Sequence, residues 1–483
     1  MNDKMKNKIK NHFKKYMEKW LLGLILSFGF FLRIFKLQEP PLWVDEAISS
    51  IASKNILIKF VPILDSGMLY SRAYFFHYIQ AFFLMFKEND FFTRFPSVIF
   101  GVLTIYLGYK IGKEYSKSGG ILTALFMSVF YLEVFYSRQA RFYQLFQLMF
   151  FASIYFLYKS YEPKKKKQNI TYLIFALISL LICIDTQIAG LVLAPFFVLH
   201  ILYFNRPRYL AIIPAIPLIQ KIIPAKSLAS GTKESAMNYS SSYFEFARNI
   251  HYMLIIVIPG VIFSFYKKFR LSILIVVPSI ILLLGVFTLK TFALRYAYFI
   301  VFPLVLYFSL TLAYLYDKYG NSMLIAIFAV LIIPSNLIYP FTAGNIINPI
   351  DYNFYDYSAP EINMKNIPAE LMIELQNENN KLISFFSSSV EWYIRKPDYV
   401  IPFTMDGRAE DQISYNNSQG RSVDVYSGAE IYKEKPNGKY YVIEDYFSVT
   451  KLKPKQRERY NLLIKGCEIV FQNSDVKIRE CNM

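Results

Sequence analysis

Asp45 and Glu46 stand side by side in Leu42-Trp43-Val44-Asp45-Glu46-Ala47, just past the first long apolar run of the chain. Two carboxylates where a chain leaves a membrane are costly to hold near lipid. The pair admits two readings: a solvated turn without a role, or a general base that takes the proton of a hydroxyl nucleophile. Cations recur at comparable places. The segment Tyr136-Ser137-Arg138-Gln139-Ala140-Arg141-Phe142-Tyr143 carries two arginines three residues apart, a spacing that shares one face if the segment is helical. Arginine's planar fork suits a phosphate, and snorkelling at a helix end is the competing use. Lys290 and Arg295, in Lys290-Thr291-Phe292-Ala293-Leu294-Arg295-Tyr296, form a second cationic island with the same two readings. Arg72, Arg94 and Glu133 complete the charges near helix ends.

The elements that must position these groups are membrane helices. Of 483 residues, 54% are hydrophobic and 18% aromatic, above the roughly 45–50% apolar content of soluble domains. The apolar residues cluster in runs near the ~20 residues that cross a bilayer. Spans are expected at about 20–37, 94–113, 119–136, 142–160, 169–185, 187–204, 208–224, 250–266, 271–288, 295–316 and 321–341, about eleven transmembrane helices in all. Lys4, Lys6, Lys8, Lys10, Lys14, Lys15 and Lys19 precede the first run, which reads as a retained anchor with a cytoplasmic N-terminus. Loops on that side hold Lys110, Lys113 and Lys117, then Lys164 to Lys167, Arg206 and Arg208, and Lys267, Lys268 and Arg270. The net charge of +18 is thereby explained by topology and anionic lipid, and no basic stripe indicates nucleic acid.

This alternation places a first outside loop at about 38–93, carrying Asp45-Glu46, with two interfacial helices expected at Ile48–Phe60 and Tyr74–Phe86. A second outside loop at about 225–249 is Ser-rich and expected to act as a lid. Residues 1–341 thus form the membrane domain and 342–483 a soluble, extracytoplasmic tail. In the tail, helices are expected at Pro368–Asn379, Val390–Arg395 and Pro454–Lys465, with strands at Leu382–Phe386, Tyr399–Ile401, Tyr440–Ile443 and Glu468–Phe471. That alternation is a small α/β domain, without a Gly-rich phosphate loop. Its expected role is to cover the outer face or receive the acceptor. Of three cysteines, Cys183 lies in an apolar run, while Cys467 and Cys481 can pair if the tail is extracytoplasmic. The four histidines, His12, His77, His200 and His251, are scattered, and no metal-ligand spacing appears. No cofactor is assigned, although carboxylates could recruit a divalent cation.

A base, several cations and a site at the outer membrane surface fit transfer of a sugar from a lipid phosphate to a hydroxyl. The cations stabilise negative charge growing on the departing phosphate. A transporter of lipid-linked sugars predicts half-repeats and ionisable groups inside helices, which the sequence does not show.

The acidic pair after the first helix resembles the signature of GT-C fold glycosyltransferases. The chain is most similar to the protein O-mannosyltransferase and aminoarabinose lipid A transferase group, the dolichyl-phosphate-mannose-protein mannosyltransferase-like superfamily. Thr93-Arg94-Phe95-Pro96-Ser97 with Phe100-Gly101, Ser137 to Leu145, and Arg295-Tyr296 followed by Pro303 add to the resemblance. It implies a GT-C polytopic α-helical fold and an inverting transfer from a polyprenyl-phosphate sugar donor to a protein, lipid or glycan acceptor. By the same route Asp45 becomes the catalytic base and Glu46 its supporting carboxylate. Arg138, Arg141, Lys290 and Arg295 become donor-phosphate groups. Trp43, Arg72, Tyr74, His77 and Tyr143 become lining residues, His77 having packing between helices as its alternative. Where many relatives carry a His-Pro-Pro-Leu-Tyr-like stretch, this chain has Arg72-Ala73-Tyr74-Phe75-Phe76-His77-Tyr78, so the acceptor side assigns no subfamily. An oligosaccharide transferase or glycan polymerase of the same fold is the nearest alternative.

Overall fold

The computed structural model describes residues 3–161, 166–203, 251–287, 294–323, 362–402 and 414–482. The expected spans 208–224 and 321–341, the lid at 225–249 and Lys290 lie wholly or almost wholly outside them. The chain divides into two compact units, residues 1–37, 94–224 and 238–351 in one, and 38–93, 225–237 and 352–483 in the other. Residues 38–93 therefore group with the C-terminal tail.

The first unit is helical. Helix α1 (Asp3–Ile34) is followed, after the excursion into the second unit, by α4 (Asp90–Tyr115) and α5 (Lys117–Val129). The Ser116 hydroxyl caps α5 by accepting the Gly119 amide at 2.9 Å. A single helix over 119–136 is not what forms: Phe130 adopts an extended ψ of 125°, and α6 (Tyr131–Tyr136) starts afresh beyond it. Helices α7 (Tyr143–Tyr161) and α8 (Lys166–Thr186) follow; a 3-10 turn (Ile188–Leu193) then leads into α9 (Ala194–Tyr203). The spans expected at 250–266 and 271–288 meet in α10 (His251–Phe287), which is broken at Lys268 (φ −143°, ψ 66°). The last described elements of this unit are α11 (Leu294–Ala297), a 3-10 turn (Tyr298–Ile300) and α12 (Val301–Tyr319). Among the described residues, Asp90–Tyr115, Asn169–Thr186, Leu254–Val286 and Arg295–Tyr319 are long and apolar enough to cross a membrane.

Helices α10 and α12 meet at Gly260, where a Cβ would stand 1.9 Å from the Tyr307 carbonyl oxygen. Small residues allow such backbone approach between membrane helices. Gly260→Ala is expected to force the pair apart, costing roughly 1–3 kcal/mol, and to lower the melting temperature of the detergent-purified chain. Gly23→Ala, with nothing within 4 Å of its Cβ, is the matched substitution that should not.

The second unit begins with α2 (Val44–Lys59) and α3 (Tyr74–Leu84). Both stretches expected as interfacial helices are helical, but the first is buried rather than laid along a surface. Helix α3 exposes Phe75, Tyr78 and Phe82, with Met85 and Phe86 just beyond, while burying Phe76, His77, Gln80 and Leu84. That spacing leaves one exposed apolar stripe along the helix. Helix α2 is buried from Glu46 to Ser53, burying Ser49, Ser50, Ser53 and Asn55 along with its apolar residues, so it is an internal strut.

The tail brings α13 (Ala369–Gln376), α14 (Ser387–Tyr393), α15 (Tyr446–Lys451) and α16 (Pro454–Leu463) around eight strands. These are β1 (Lys381–Ser384), β2 (Tyr399–Val400), β3 (Ser414–Asn416), β4 (Ser422–Asp424), β5 (Glu430–Ile431), β6 (Tyr440–Asp445), β7 (Glu468–Gln472) and β8 (Val476–Cys481). Their order is β3-β4-β5-β2-β1-β6-β8-β7, with a parallel centre β5-β2-β1-β6 and antiparallel flanks. Alternate side chains serve opposite faces: Leu382, Tyr441, Ile443 and Ile478 enter one core, and Ile383, Tyr440, Val442 and Cys481 the other. Cys467 and Cys481 are disulfide-bonded. Strands β3, β4, β5 and β8 are absent from the sequence-based expectation because they are short or, in β8, interrupted by Lys477, Arg479 and Glu480.

Candidate functional site

In the second unit the chain enters α2 through Trp43, whose amide donates to the Glu46 carboxylate at 3.3 Å. Glu46 is fully buried and supplies the reciprocal half of a capping arrangement. Asp45, one residue earlier in the same first turn, stays half-buried, where unsatisfied helix amides favour negative charge. The two adjacent carboxylates thus differ: Glu46 builds the helix end, and Asp45 stays half-buried in the first turn. Trp43 is buried. Tyr74 begins α3 half-buried and Arg72 is exposed just before it. His77 is fully buried; its Nδ1 lies 3.0 Å from the Ser53 hydroxyl, which donates to Gln80 at 2.6 Å. His77 therefore joins α2 to α3.

Tyr426 is the neighbour of Asp45 that sequence reasoning missed. Asp424 accepts from the amides of Tyr426 and Ser427, both at 2.9 Å, and from the Ser387 hydroxyl at 2.8 Å. The resulting turn seats on the 65–67 loop: the Ser66 amide donates to the Tyr426 carbonyl at 3.3 Å. Gly428, at φ 67°, lies so close that a Cβ would be 2.8 Å from Ser66 Cα. Although 39% of Tyr426 is exposed, its phenol is pushed up to about 12, by desolvation of the hydroxyl first and the Asp45 charge second, with Tyr70, Asp424 and Arg72 also in electrostatic reach. A tyrosine with no signature around it in a polar tail gives sequence reasoning nothing to find.

A cavity of about 720 Å³ also lies in this unit, lined among others by Asn55, Asp65, Asp90, Lys365, Glu391 and Tyr393. Burial pushes the Glu391 carboxyl up to about 9, with the negative charge of Asp65 adding to the effect. Lys396 opposes this shift and Asp424 adds to it. Between its ordinary 4.5 and about 9, the folded chain holds a proton that the unfolded chain has released. Stability contributed by this group is therefore complete below pH 4.5 and lost as pH rises through about 9. Glu391→Gln should flatten the decline in melting temperature between pH 5 and pH 9, measured side by side with the parent chain.

In the first unit, Ser137 to Phe142 form a non-helical connection between α6 and α7. The expectation that Arg138 and Arg141 share a helical face fails for that reason. Arg138, buried, donates to the carbonyls of Leu32 at 3.0 Å, Arg33 at 3.4 Å and Lys36 at 3.3 Å, and also to Phe35. Arg141, also buried, lies over the rings of Phe142 at 4.8 Å and Tyr143 at 5.6 Å. Arg295 is half-buried, with its guanidinium 5.4 Å from the Tyr296 ring centre. Arg94 is fully buried and donates to the Leu37 carbonyl at 3.0 Å.

Behind them lies a buried network. Glu133 accepts from Gln147 Nε2 and lies 2.9 Å from the Tyr298 hydroxyl, which is 2.6 Å from Gln144 Oε1. Gln144 Nε2 donates to Gln147 Oε1 at 3.1 Å, closing a ring, and to Thr104 at 2.8 Å. Arg33, fully buried, donates to the carbonyls of Gly29, Met127 and Ser128, each at 3.0 Å. Gly101 admits it: a Cβ there would be 2.7 Å from Arg33 Nε and 2.5 Å from Ser137 Cβ.

Residues 71–220 match the family model of dolichyl-phosphate-mannose-protein mannosyltransferases. The whole architecture is similar to solved structures. Apo ArnT from Cupriavidus metallidurans aligns at TM-score 0.64 and 10% identity, covering 97% of this chain and 98% of that one. The same protein bound to undecaprenyl phosphate aligns at 0.64 and 9%, covering 95% and 97%. The Archaeoglobus fulgidus oligosaccharyltransferase, in complex with zinc and sulfate, aligns at 0.56 and 11%, covering 92% of this chain and 71% of that one. The chain has the GT-C fold. No curated protein sequence matches it. Thr93, Arg94 and Ser97 are all fully buried, and the Ser97 hydroxyl donates to the Arg141 carbonyl at 3.2 Å. Phe100-Gly101 serves close packing, and Ser137 to Leu145 is the α6–α7 connection running into α7. Among the described residues of this GT-C fold, no three His, Cys, Asp or Glu side chains gather as a metal would require.

Proposed function

We propose that the chain is an integral membrane glycosyltransferase that moves a sugar from a polyprenyl phosphate to an extracytoplasmic hydroxyl. The observation that carries this reading is Asp45. It lies half-buried in the first turn of a buried helix whose start its neighbour Glu46 caps, in a chain of GT-C fold whose residues 71–220 match the mannosyltransferase family model.

In the reaction, Asp45 takes the acceptor's proton as the acceptor oxygen bonds to the anomeric carbon. The bond from that carbon to the phosphate oxygen breaks, its electron pair stays with the lipid phosphate, and the anomeric configuration inverts. Arg141 and Arg295 are assigned to the growing negative charge, Lys290 being outside the described residues. The assignment sets Arg138 aside as a helix cap and His77 as a packing group. Trp43, Arg72, Tyr74 and Tyr143 remain assigned to lining, and Glu46 to support of Asp45 through the helix end. The undecaprenyl phosphate in the ArnT structure supports the donor class. The acceptor peptide tethered in another Archaeoglobus oligosaccharyltransferase structure supports a protein acceptor among the alternatives of lipid or glycan. The Cys467–Cys481 disulfide supports an extracytoplasmic tail, and the flanking lysines a cytoplasmic N-terminus in the plasma (inner) membrane.

Mass spectrometry of envelope glycolipids and glycoproteins, comparing a deletion strain with one carrying the intact gene, tests the reading. One sugar residue missing from a defined acceptor is expected. A missing oligosaccharide points to an oligosaccharide donor or polymerase instead, and an unchanged envelope rejects the transferase.

A further inference from the structure

We infer that Tyr393, Lys365 and Asp90 are positioning residues for Asp45, a clamp through which the C-terminal sheet domain fixes the strap of chain leading into α2. The inference rests on the assignment of Asp45 as base.

The strap is Gln38-Glu39-Pro40-Pro41-Leu42. Neither proline has an amide hydrogen, so the first backbone donor after Glu39 is Leu42. Leu42 is fully buried, and its amide donates to the Tyr393 hydroxyl at 2.6 Å. That hydroxyl donates in turn to Asp90 at 2.8 Å, and Trp392 Nε1 donates to the other oxygen of the same carboxylate at 2.9 Å. Lys365 forms an ion pair with Asp90 and donates to the carbonyls of Gln38, of Glu39 at 3.4 Å and of Pro40 at 3.1 Å. Thus three successive strap carbonyls and the next available amide are all held by two side chains of the tail, which share one aspartate.

Beyond the clamp there is little slack. The Trp43 amide is closed by Glu46. Val44 packs against the core cluster that contains Ile362, Met364 and Val390. Asp45 follows at once. Proline-fixed backbone, a saturated ammonium and a buried hydrogen bond therefore set where the first turn of α2 begins. A reacting group displaced by about 1 Å costs on the order of a hundredfold in rate, so a loosened strap should be felt in catalysis even though no clamp atom belongs to Asp45.

The test uses the full chain in detergent micelles and in the deletion strain. Tyr393→Phe leaves the buried Leu42 amide without its acceptor. Amides in a 38–47 peptide should then exchange with deuterium about tenfold faster, with strand 440–445 unchanged. The glycan product restored to the deletion strain should fall at least about tenfold. Tyr446→Phe, at a tyrosine 75% exposed, should leave both readings at the parent level. If Tyr393→Phe does not accumulate, Lys365→Met against Lys365→Arg reads the same strap, Arg being expected to rescue both signals. Unchanged exchange in 38–47 overturns the clamp. Faster exchange with full product overturns its role in positioning. Full product from Asp45→Asn overturns the base assignment separately, and the exchange measurement then stands on its own as a report on the strap.

Discussion

Asp45→Asn is expected to reduce transfer by about a thousandfold or more, within the 10²–10⁴ that general-base catalysis contributes, while leaving the chain folded and in the membrane. Asparagine keeps the shape and loses the proton acceptor, so the acceptor oxygen must attack without an assisting base. The fold should tolerate it because Asp45 is half-buried in a first helical turn whose end is capped by its neighbour. Initial rates with purified protein and a polyprenyl-phosphate sugar, beside a thermal melt of the same sample, measure both halves. A variant that transfers at the parent rate removes the mechanism. A variant that is inactive only because it no longer melts cooperatively says that Asp45 belongs to the fold instead.

The acidic pair illustrates what residue types reveal and what they withhold. Two carboxylates after an apolar run were visible as chemistry, but their division of labour depends on where a helix begins. With the first helical residue at Val44, neighbours point about 100° apart, so Glu46 turns in to the Trp43 amide while Asp45 stays half-buried. Composition also located helices at about 94–113, 142–160, 169–185 and 295–316 and strands near β1, β2 and β6. The break at Phe130 was not legible, because phenylalanine does not disfavour a helix by itself, whereas the one at Lys268 falls in the basic stretch Lys267, Lys268 and Arg270 expected between two spans. The grouping of residues 38–93 with the tail was not legible either. It rests on long-range packing, such as Val44 against the tail core, and on bonds such as Leu42 to Tyr393, that leave no local periodicity. Tyr426 near Asp45 is the same case: a turn built by Asp424 and Gly428 delivers it, and local spacing does not say to what.

Arg138→Met should destabilise the chain by about 3 kcal/mol, and this separates the two uses of arginine that sequence left open. The last carbonyls of α1 have no helical amide to meet, and Lys36 turns the chain at φ 54° just beyond. Arg138 answers them with bonds to Leu32, Arg33, Phe35 and Lys36. Hydrogen bonds to a charged group are worth about 1.5–3 kcal/mol each, and losing a buried partner leaves the carbonyls desolvated. Methionine keeps much of the stem and none of the donors, so a melting temperature several degrees lower, with reduced yield from membranes, is the expected result. Arg295→Met removes a half-buried guanidinium that lies over Tyr296. It is expected to slow transfer with no comparable change in melting. Loss of activity in Arg138→Met at an unchanged melting temperature would return that residue to the donor phosphate. It would also mean that the end of α1 is satisfied by some other group, which the four carbonyls converging on one guanidinium argue against.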